Sequence, residues 1–414
     1  MSKAISRRNF LMATGAVGAA GLLAACGSKP AASSTASSAA SQAPAASADE
    51  SLALSDGPVS LSISWWGGDS RHAAYQSALE AFQAEHSNIT VEPTFAAWSG
   101  WEEKMAAAFI AGNAQDVCQV NWNWLYNYSA DGSKFVDLNT TSKFIDLTQW
   151  DSAAMDACYV ANSQQCVPVS MTGRIFYWNM TTFNKAGITE VPKSLDDLMA
   201  AGKAFQEKLG DDYYPMHLGA YDRMILMVFY LESKYGKDWA DPVTSTLNYT
   251  EEEIAEGLAF IKSLVDNHVM MNLKTYYSAN SDTATHQSNE WITGKIAGIF
   301  EWDSAASKYS SALDDSNKDG FTVGEEIKFG DNNGGFSKVS MGLAITKTCK
   351  NVAEAATLIN FLLNEEKGAS IMGSECGIPA SKAGLKFAQD AGAVKDLVAE
   401  ANAKVMAFTT NKLD

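Results

Sequence analysis

From Val59 onward the chain alternates extended and helical patterns in short units, and this alternation narrows its fold more than any other feature. Val59 to Trp66 is rich in β formers and stops at the Gly67-Gly68-Asp69 turn. Ala73 to Glu85 then spaces Ala74, Ala78, Leu79, Ala81 and Phe82 as a helix does. A strand over Asn88–Phe95, a helix over Trp101–Ile110 and a strand over Asp116–Trp122 follow. Such repetition predicts parallel βαβ units and an α/β fold. After Cys166 the pattern resumes with a strand over Arg174–Trp178, a short helix over Thr181–Ala186 and a helix over Ser194–Lys208 with Ser194 and Asp197 as a capping box. Met224–Tyr235 reads as a buried helix, Thr250–Asn267 as an amphipathic helix capped by Thr250 and Glu253, and Val352–Asn364 as a further helix. Ile296–Glu301 and Gly342–Thr346 read as strands. About 355 residues exceed what one core supports, so two lobes are expected.

The first residues carry a different kind of signal. Ser6-Arg7-Arg8-Asn9-Phe10-Leu11 is a twin-arginine export pattern, and the apolar run after it is too short to span a bilayer. Leu23-Ala24-Ala25-Cys26 reads as a lipobox, which predicts a signal peptide over 1–25 and a mature chain lipidated at Cys26. Residues 26–58 are dominated by Ala and Ser and predict a flexible tether. The expected location is extracytoplasmic, lipid-anchored to a bacterial cell membrane, with acyl chains as the membrane contact.

The precursor carries a net charge of −17, and removal of Lys3, Arg7 and Arg8 with the signal takes it to about −20. That balance argues against nucleic acid as a partner. Five cysteines remain beyond Cys26, with no zinc-ligand spacing among them. Export permits a Cys158–Cys166 disulfide, although spacing alone leaves that pairing open, and Cys118 falls inside an apolar strand.

Several motifs recur in a familiar order: Ile63-Ser64-Trp65-Trp66-Gly67-Gly68, Asp116-Val117-Cys118-Gln119-Val120-Asn121, Tyr177-Trp178-Asn179-Met180-Thr181-Thr182-Phe183-Asn184-Lys185-Ala186-Gly187-Ile188, Gly294-Lys295-Ile296-Ala297-Gly298-Ile299 and Gly377-Ile378-Pro379-Ala380-Ser381. With them the chain resembles the family 1 extracellular solute-binding proteins of ABC importers, the maltose-binding-protein-like group. The resemblance implies a two-lobe α/β fold with a hinge and a ligand cleft between the lobes. Lobe one would comprise 59–168 plus 345–385, and lobe two 169–344 plus 386–414, with crossings near Pro168–Arg174, Ser340–Ile345 and Ser381–Lys386. It further implies a monomer that closes on its ligand and delivers it to permease subunits.

Ligands of parallel α/β lobes sit beyond the carboxyl ends of strands, and this rule selects residues without the family. It picks Trp66, Gly67, Asp69, Arg71 and His72 after the first strand, Trp98 and Trp101 after the second, and Asn121, Trp122 and Asn123 after the third. Thr172 and Arg174 lie at the first crossing, and Trp302 and Asp303 follow the strand ending at Phe300. Tyr221 and Arg223 precede the buried helix of lobe two, where related proteins meet their sugar. Of 11 Trp, seven lie at or just beyond these strand ends, once Trp65 and Trp124 are counted with the five named. Indoles on turns, with amides, carboxylates and arginines beside them, suit the flat C–H faces and hydroxyls of a sugar of two or more rings, or a uronate carboxylate. Alternation predicts one of Trp65 and Trp66 in the core and, if the third strand continues that far, puts Trp122 and Trp124 on one face with Asn121 and Asn123 on the other. Asn332-Asn333-Gly334-Gly335-Phe336 reads as a flexible loop beside the cleft.

Two competing chemistries attach to acidic residues. Asp315, Asn317, Asp319 and Glu326 match the ligand spacing of an EF-hand loop, so calcium is a candidate cofactor, although a strand pattern replaces the second helix. A tethered glycoside hydrolase needs two flanking carboxylates, and Glu301 with Asp303 or Glu102 with Glu103 are the pairs on offer. No catalytic motif accompanies them, so the chain reads as a binder and not an enzyme. Asp69, Glu301 and Asp303 would equally suit a polyamine.

Overall fold

A computed structural model describes residues 49, 51–241, 246–281, 283–409 and 411–412. The twin-arginine pattern, Cys26 and most of the Ala/Ser-rich stretch lie outside the described residues. Among the described residues no helix is long and apolar enough to cross a membrane.

The first lobe is built from β1 (Val59–Trp66), α1 (Asp69–Glu85), β2 (Ile89–Ala96), α2 (Trp101–Ala111), β3 (Val117–Val120), α3 (Asn123–Ser129), α4 (Ser152–Asp156) and the small hairpin of β4 (Tyr159–Val160) and β5 (Ser163–Gln164). β6 (Val167–Thr172) leads out of it into β7 (Arg174–Asn179). The second lobe continues with α5 (Met180–Lys185), α6 (Leu195–Leu209), α7 (Ala220–Tyr235), the β8 (Ala240–Asp241) and β9 (Thr246–Leu247) pair, α8 (Glu251–Asp266), α9 (Leu273–Asn280), α10 (Asn289–Ile292), β10 (Gly298–Trp302), α11 (Ala306–Ser311) and β11 (Phe321–Val323). The long β12 (Phe336–Ile345) returns to lobe one and feeds α12 (Val352–Asn364), α13 (Glu366–Met372) and α14 (Lys382–Asp390). α15 (Asp396–Phe408) and β13 (Asn411–Lys412) follow.

Two separate cores explain the division. One joins β1, β2, β3, α1 and α12 around Ile63, Trp65, Phe82, Val117, Leu343 and Phe361. The other joins β7, β10, α7 and α15 around Phe176, Trp178, Phe229, Phe300 and Val405. The lobe-one sheet runs β13-β12-β3-β1-β2, with β6 also on β12. Its β1, β2 and β3 are parallel, so their carboxyl ends share one rim. Lobe two departs from the expected parallel pattern, since β10 and β11 both flank β7 antiparallel.

The crossing is a strand pair, with β6 antiparallel to β12 and Lys338 opposite Thr172. Gly173 sits between β6 and β7, where a Cβ would come within 2.3 Å of Val405 and 3.0 Å of the Phe336 carbonyl, so only glycine lets α15 reach the crossing. The third crossing falls later than the sequence suggests. α14 packs on α12 and α13, with Gly384 against the Leu363 carbonyl, and Ala393 still accepts from Ser374 of lobe one. The chain changes lobes at 391–395, ahead of α15.

Three local expectations also change. Residues 51–58 do not end a free tether, because the Ser55 N–H donates to Glu354 at 2.6 Å and Asn88 donates to the Ser55 and Gly57 carbonyls. The 332–336 loop is packed: a Cβ on Gly334 would lie 2.2 Å from the Phe229 carbonyl, and the Gly335 N–H donates to Glu232. At α6, Ser194 caps as expected, but Asp197 accepts from Lys193 instead of closing the box. The box at Thr250 and Glu253 is complete.

Candidate functional site

The rim of lobe one is aromatic. Adjacent positions on β1 send Trp65 into the core, stacked on Tyr75 and Phe95, and Trp66 to the opposite face, where contrary to expectation it too is buried, against Trp124. Trp66 meets Trp98 edge-on at 5.1 Å, and Trp98 is 44% exposed. Behind them stands Trp124, fully buried, with its N–H donating to Glu102 at 3.2 Å. The expected shared face of Trp122 and Trp124 does not form, because β3 stops at Val120 and the chain turns into α3. Helical geometry instead places Trp122 beside Tyr126 at 5.7 Å, half-buried at the start of that helix.

Polar residues around this rim divide by what they already hold. Arg71 donates to the Glu375 and Trp66 carbonyls at 2.9 and 3.1 Å, which fastens the segment after α13 to the end of β1. Gly67 lies under that side chain, since a Cβ there would stand 2.6 Å from it. His72 accepts from the Trp65 N–H at 3.0 Å, and burial lowers its pKa, so the ring is a neutral acceptor. Asp69 is exposed in the first turn of α1. Trp101 is buried in the core, but its N–H and the side-chain carbonyl of Asn123 have no hydrogen-bond partner among the described residues. Asn121 is half-buried at the end of β3.

Across from it, Arg174 is 1% exposed and carries the electrostatics of lobe two. It pairs with Asp222 at 2.8 Å and Glu301 at 3.2 Å, and donates to the Phe300 carbonyl. Burial raises the pKa of Asp222 and Arg174 opposes it, whereas at Glu301 burial is outweighed only by Arg174, Lys308, the Trp302 N–H and the Tyr309 hydroxyl together, and the pKa is lowered. The guanidinium also lies 4.2 Å from the centre of the Trp302 ring. Tyr221 stands 64% exposed on α7, and burial of its phenol group and the carboxylates of Asp222, Glu301 and Glu102 of the other lobe raise its pKa.

Three expected ligand residues, Arg223, Asp303 and Thr172, are spent on the scaffold. Arg223 donates to the Leu218 and Met271 carbonyls, and burial lowers its pKa to about 10. Asp303 is 1% exposed and accepts from Thr172, from Asn402 at 2.6 Å and from the Ser304 N–H at 2.6 Å. Desolvation nevertheless raises its pKa to about 6. Thr172 and Asp303 thus join a crossing strand to lobe two and leave no group free for a sugar.

The profile of bacterial extracellular solute-binding proteins matches residues 68–369. The chain belongs to that family. Among solved structures, this solute-binding protein is 35% identical to a periplasmic oligogalacturonide binding protein of Yersinia enterocolitica in complex with saturated digalacturonic acid, over 86% of this chain and 88% of that one, with a TM-score of 0.81. A second structure of the Yersinia protein, for which no ligand is named, gives 0.66. A periplasmic solute-binding protein of Pectobacterium atrosepticum is 33% identical over 86% and 88% of the two chains, with a TM-score of 0.81. Binding proteins of Brucella abortus match at 21% identity over 209 residues, so the chain spans about half the length of those curated relatives.

The family is one of solute-binding proteins, and the Glu301–Asp303 pair is not arranged for hydrolysis. Glu301 is held by Arg174 and Asp303 by Thr172 and Asn402, so neither is poised as a general acid or nucleophile. The same pairing occupies Glu301 and Asp303, two of the three carboxylates that would suit a polyamine, and leaves Asp69 exposed. The EF-hand spacing does not build a calcium site either. Asp315 pairs with Lys318, Asn317 turns inward to bond Asn179, and Glu326 is buried away from them with its pKa raised to about 8 by desolvation. Among the described residues no group of three acidic, His or Cys side chains converges to hold a metal. Cys158 and Cys166 are buried thiols in contact, with no disulfide between them.

One residue of the site escaped sequence reasoning altogether. Lys338 of β12 points its ammonium at Asn121 Oδ1, 3.4 Å away, and at the Trp302 ring, 4.9 Å from its centre. It lies mid-strand, so the search beyond strand ends passed over it. Its crossing position, opposite Thr172, was the available signal.

Proposed function

We propose that this protein is the ligand-capturing component of an ABC importer, and that it takes an oligosaccharide of two or more units into the cleft between its lobes. The observation that carries this reading is the pair of exposed aromatics on the two lobes: Trp98, seated on the buried Trp66, on one side and Tyr221 on the other, with the Glu102 charge of lobe one felt at the Tyr221 phenol. Stacking plates with N–H and O–H groups at their edges fit sugar rings, whose C–H faces are apolar and whose rims are hydroxyls. Trp122, Asn121 and Asn123 extend the same surface, and the unpartnered Asn123 carbonyl is an acceptor for a hydroxyl.

Similarity to the Yersinia protein and its digalacturonic acid supports an oligosaccharide over a single sugar ring. The better superposition on that complex supports reading the present arrangement as closed. Opening would proceed by rotation about the β6–β12 crossing and the 391–395 segment, and permease subunits would receive the closed form. Export through the twin-arginine pattern, lipidation at Cys26 and a monomeric state complete the proposal. Cys26→Ala would abolish incorporation of labelled fatty acid into the protein if the anchor is correct.

Calorimetric titration with a panel of mono- and oligosaccharides, paired with solution scattering, tests the core of this reading. Binding of at least one oligosaccharide with a smaller radius of gyration is expected. Compaction with an amine or metal and with no carbohydrate would overturn it.

A further inference from the structure

We propose that the ligand of this cleft carries a carboxylate and that the Lys338 ammonium receives it, which makes the substrate class uronate-containing oligosaccharides. This rests on the oligosaccharide reading above and narrows it.

Lys338 is placed where only a ligand completes its environment. It stands on a crossing strand between the carboxyl end of β3 and the end of β10, so it faces the cleft from the hinge side. Its neighbours are an amide oxygen at the outer limit of hydrogen bonding and an indole ring. Among the described residues it has no ion-pair partner, whereas Arg174 beside it has two. Holding an ammonium away from water without a counter-ion is costly. Burial, reinforced by Arg174 and opposed by Asp303, lowers its pKa to about 7.

A second group points the same way. The Arg174 Nε–H is buried with no hydrogen-bond partner, and its guanidinium and the Lys338 ammonium lie against one indole. Arg174 is compensated by Asp222 and Glu301, so the charge that a neutral sugar would leave without a counter-ion beside that ring is the Lys338 ammonium. A carboxylate supplies the charge and accepts from both donors.

The test is calorimetry at pH 6 on the purified protein and its Lys338→Met variant, with digalacturonate and its neutral counterpart galactobiose. Wild type is expected to bind digalacturonate about 10- to 100-fold more tightly than galactobiose, the worth of one hydrogen bond to a charged group. Lys338→Met should lose that preference, so that its affinities for the two disaccharides fall within about 3-fold of each other. At pH 8, in buffers of different ionisation enthalpy, wild type should take up a fraction of a proton on binding digalacturonate and the variant none, because the anion restores the charge on Lys338. Equal wild-type affinity for the two disaccharides would overturn the carboxylate inference and leave the sugar reading standing. Unchanged preference in Lys338→Met would overturn the role of Lys338. Failure of folded wild type to bind any oligosaccharide would sink both.

Discussion

The carboxylate of Asp303, at the end of β10, accepts a hydrogen bond from Nδ2 of Asn402 on α15 at 2.6 Å, and the same Asn402 amide reaches the Met171 carbonyl on β6. One acid therefore holds a crossing strand, the cleft edge of lobe two and the last helix together. Asp303→Ala removes its bonds to Thr172, Asn402 and Ser304 and should destabilise the protein by about 2–4 kcal/mol. Chemical denaturation checks this, and a variant as stable as wild type would deny Asp303 its structural role.

Glu326 provides a pH signature. Its folded pKa is about 8, above the ordinary 4.5, because burial disfavours the charged form. Its contribution to stability is then fully present below about pH 4.5 and lost as pH rises through 8. Glu326→Gln should keep the melting temperature flatter than wild type between pH 5 and pH 8.5. Parallel melting curves for the two proteins would count against a neutral Glu326 in the fold.

Trp98 and Trp124 lie 6.2 Å apart yet should answer differently to alanine. Trp98 is exposed, so Trp98→Ala should weaken sugar binding about 10-fold or more and change stability by about 1 kcal/mol or less. Trp124 is fully buried, and Trp124→Ala should cost about 3–5 kcal/mol of stability. Titration and denaturation of both variants separate the ligand wall from its support.

Arg174→Met should destabilise by about 3–5 kcal/mol, because it leaves Asp222 and Glu301 buried without their counter-ion. Thermal melting reads the loss directly. Retention of wild-type stability would mean that those carboxylates are satisfied without the guanidinium.

Reading the sequence went furthest where the signal is local. β1 and α12 fall at their expected limits because alternation and helical spacing are properties of a few neighbouring residues. The complete cap at Thr250 follows from residues three apart. The shared face of Trp122 and Trp124 depends on how far the strand runs, which its partners decide, and β3 pairs with β1 only through Val117 and Cys118 and stops at Val120.

The order of elements and the motifs along them were enough to determine an α/β solute-binding chain with two lobes and an aromatic rim. What each polar group in the cleft is free to do was decided in three dimensions. Asp303 finds its partners 131 and 99 residues away, and Lys338 meets Asn121 across 217. Local patterning dictates which face a side chain takes, but only packing decides whether a buried charge meets a counter-charge, and here it gives one to Arg174 and leaves Lys338 without.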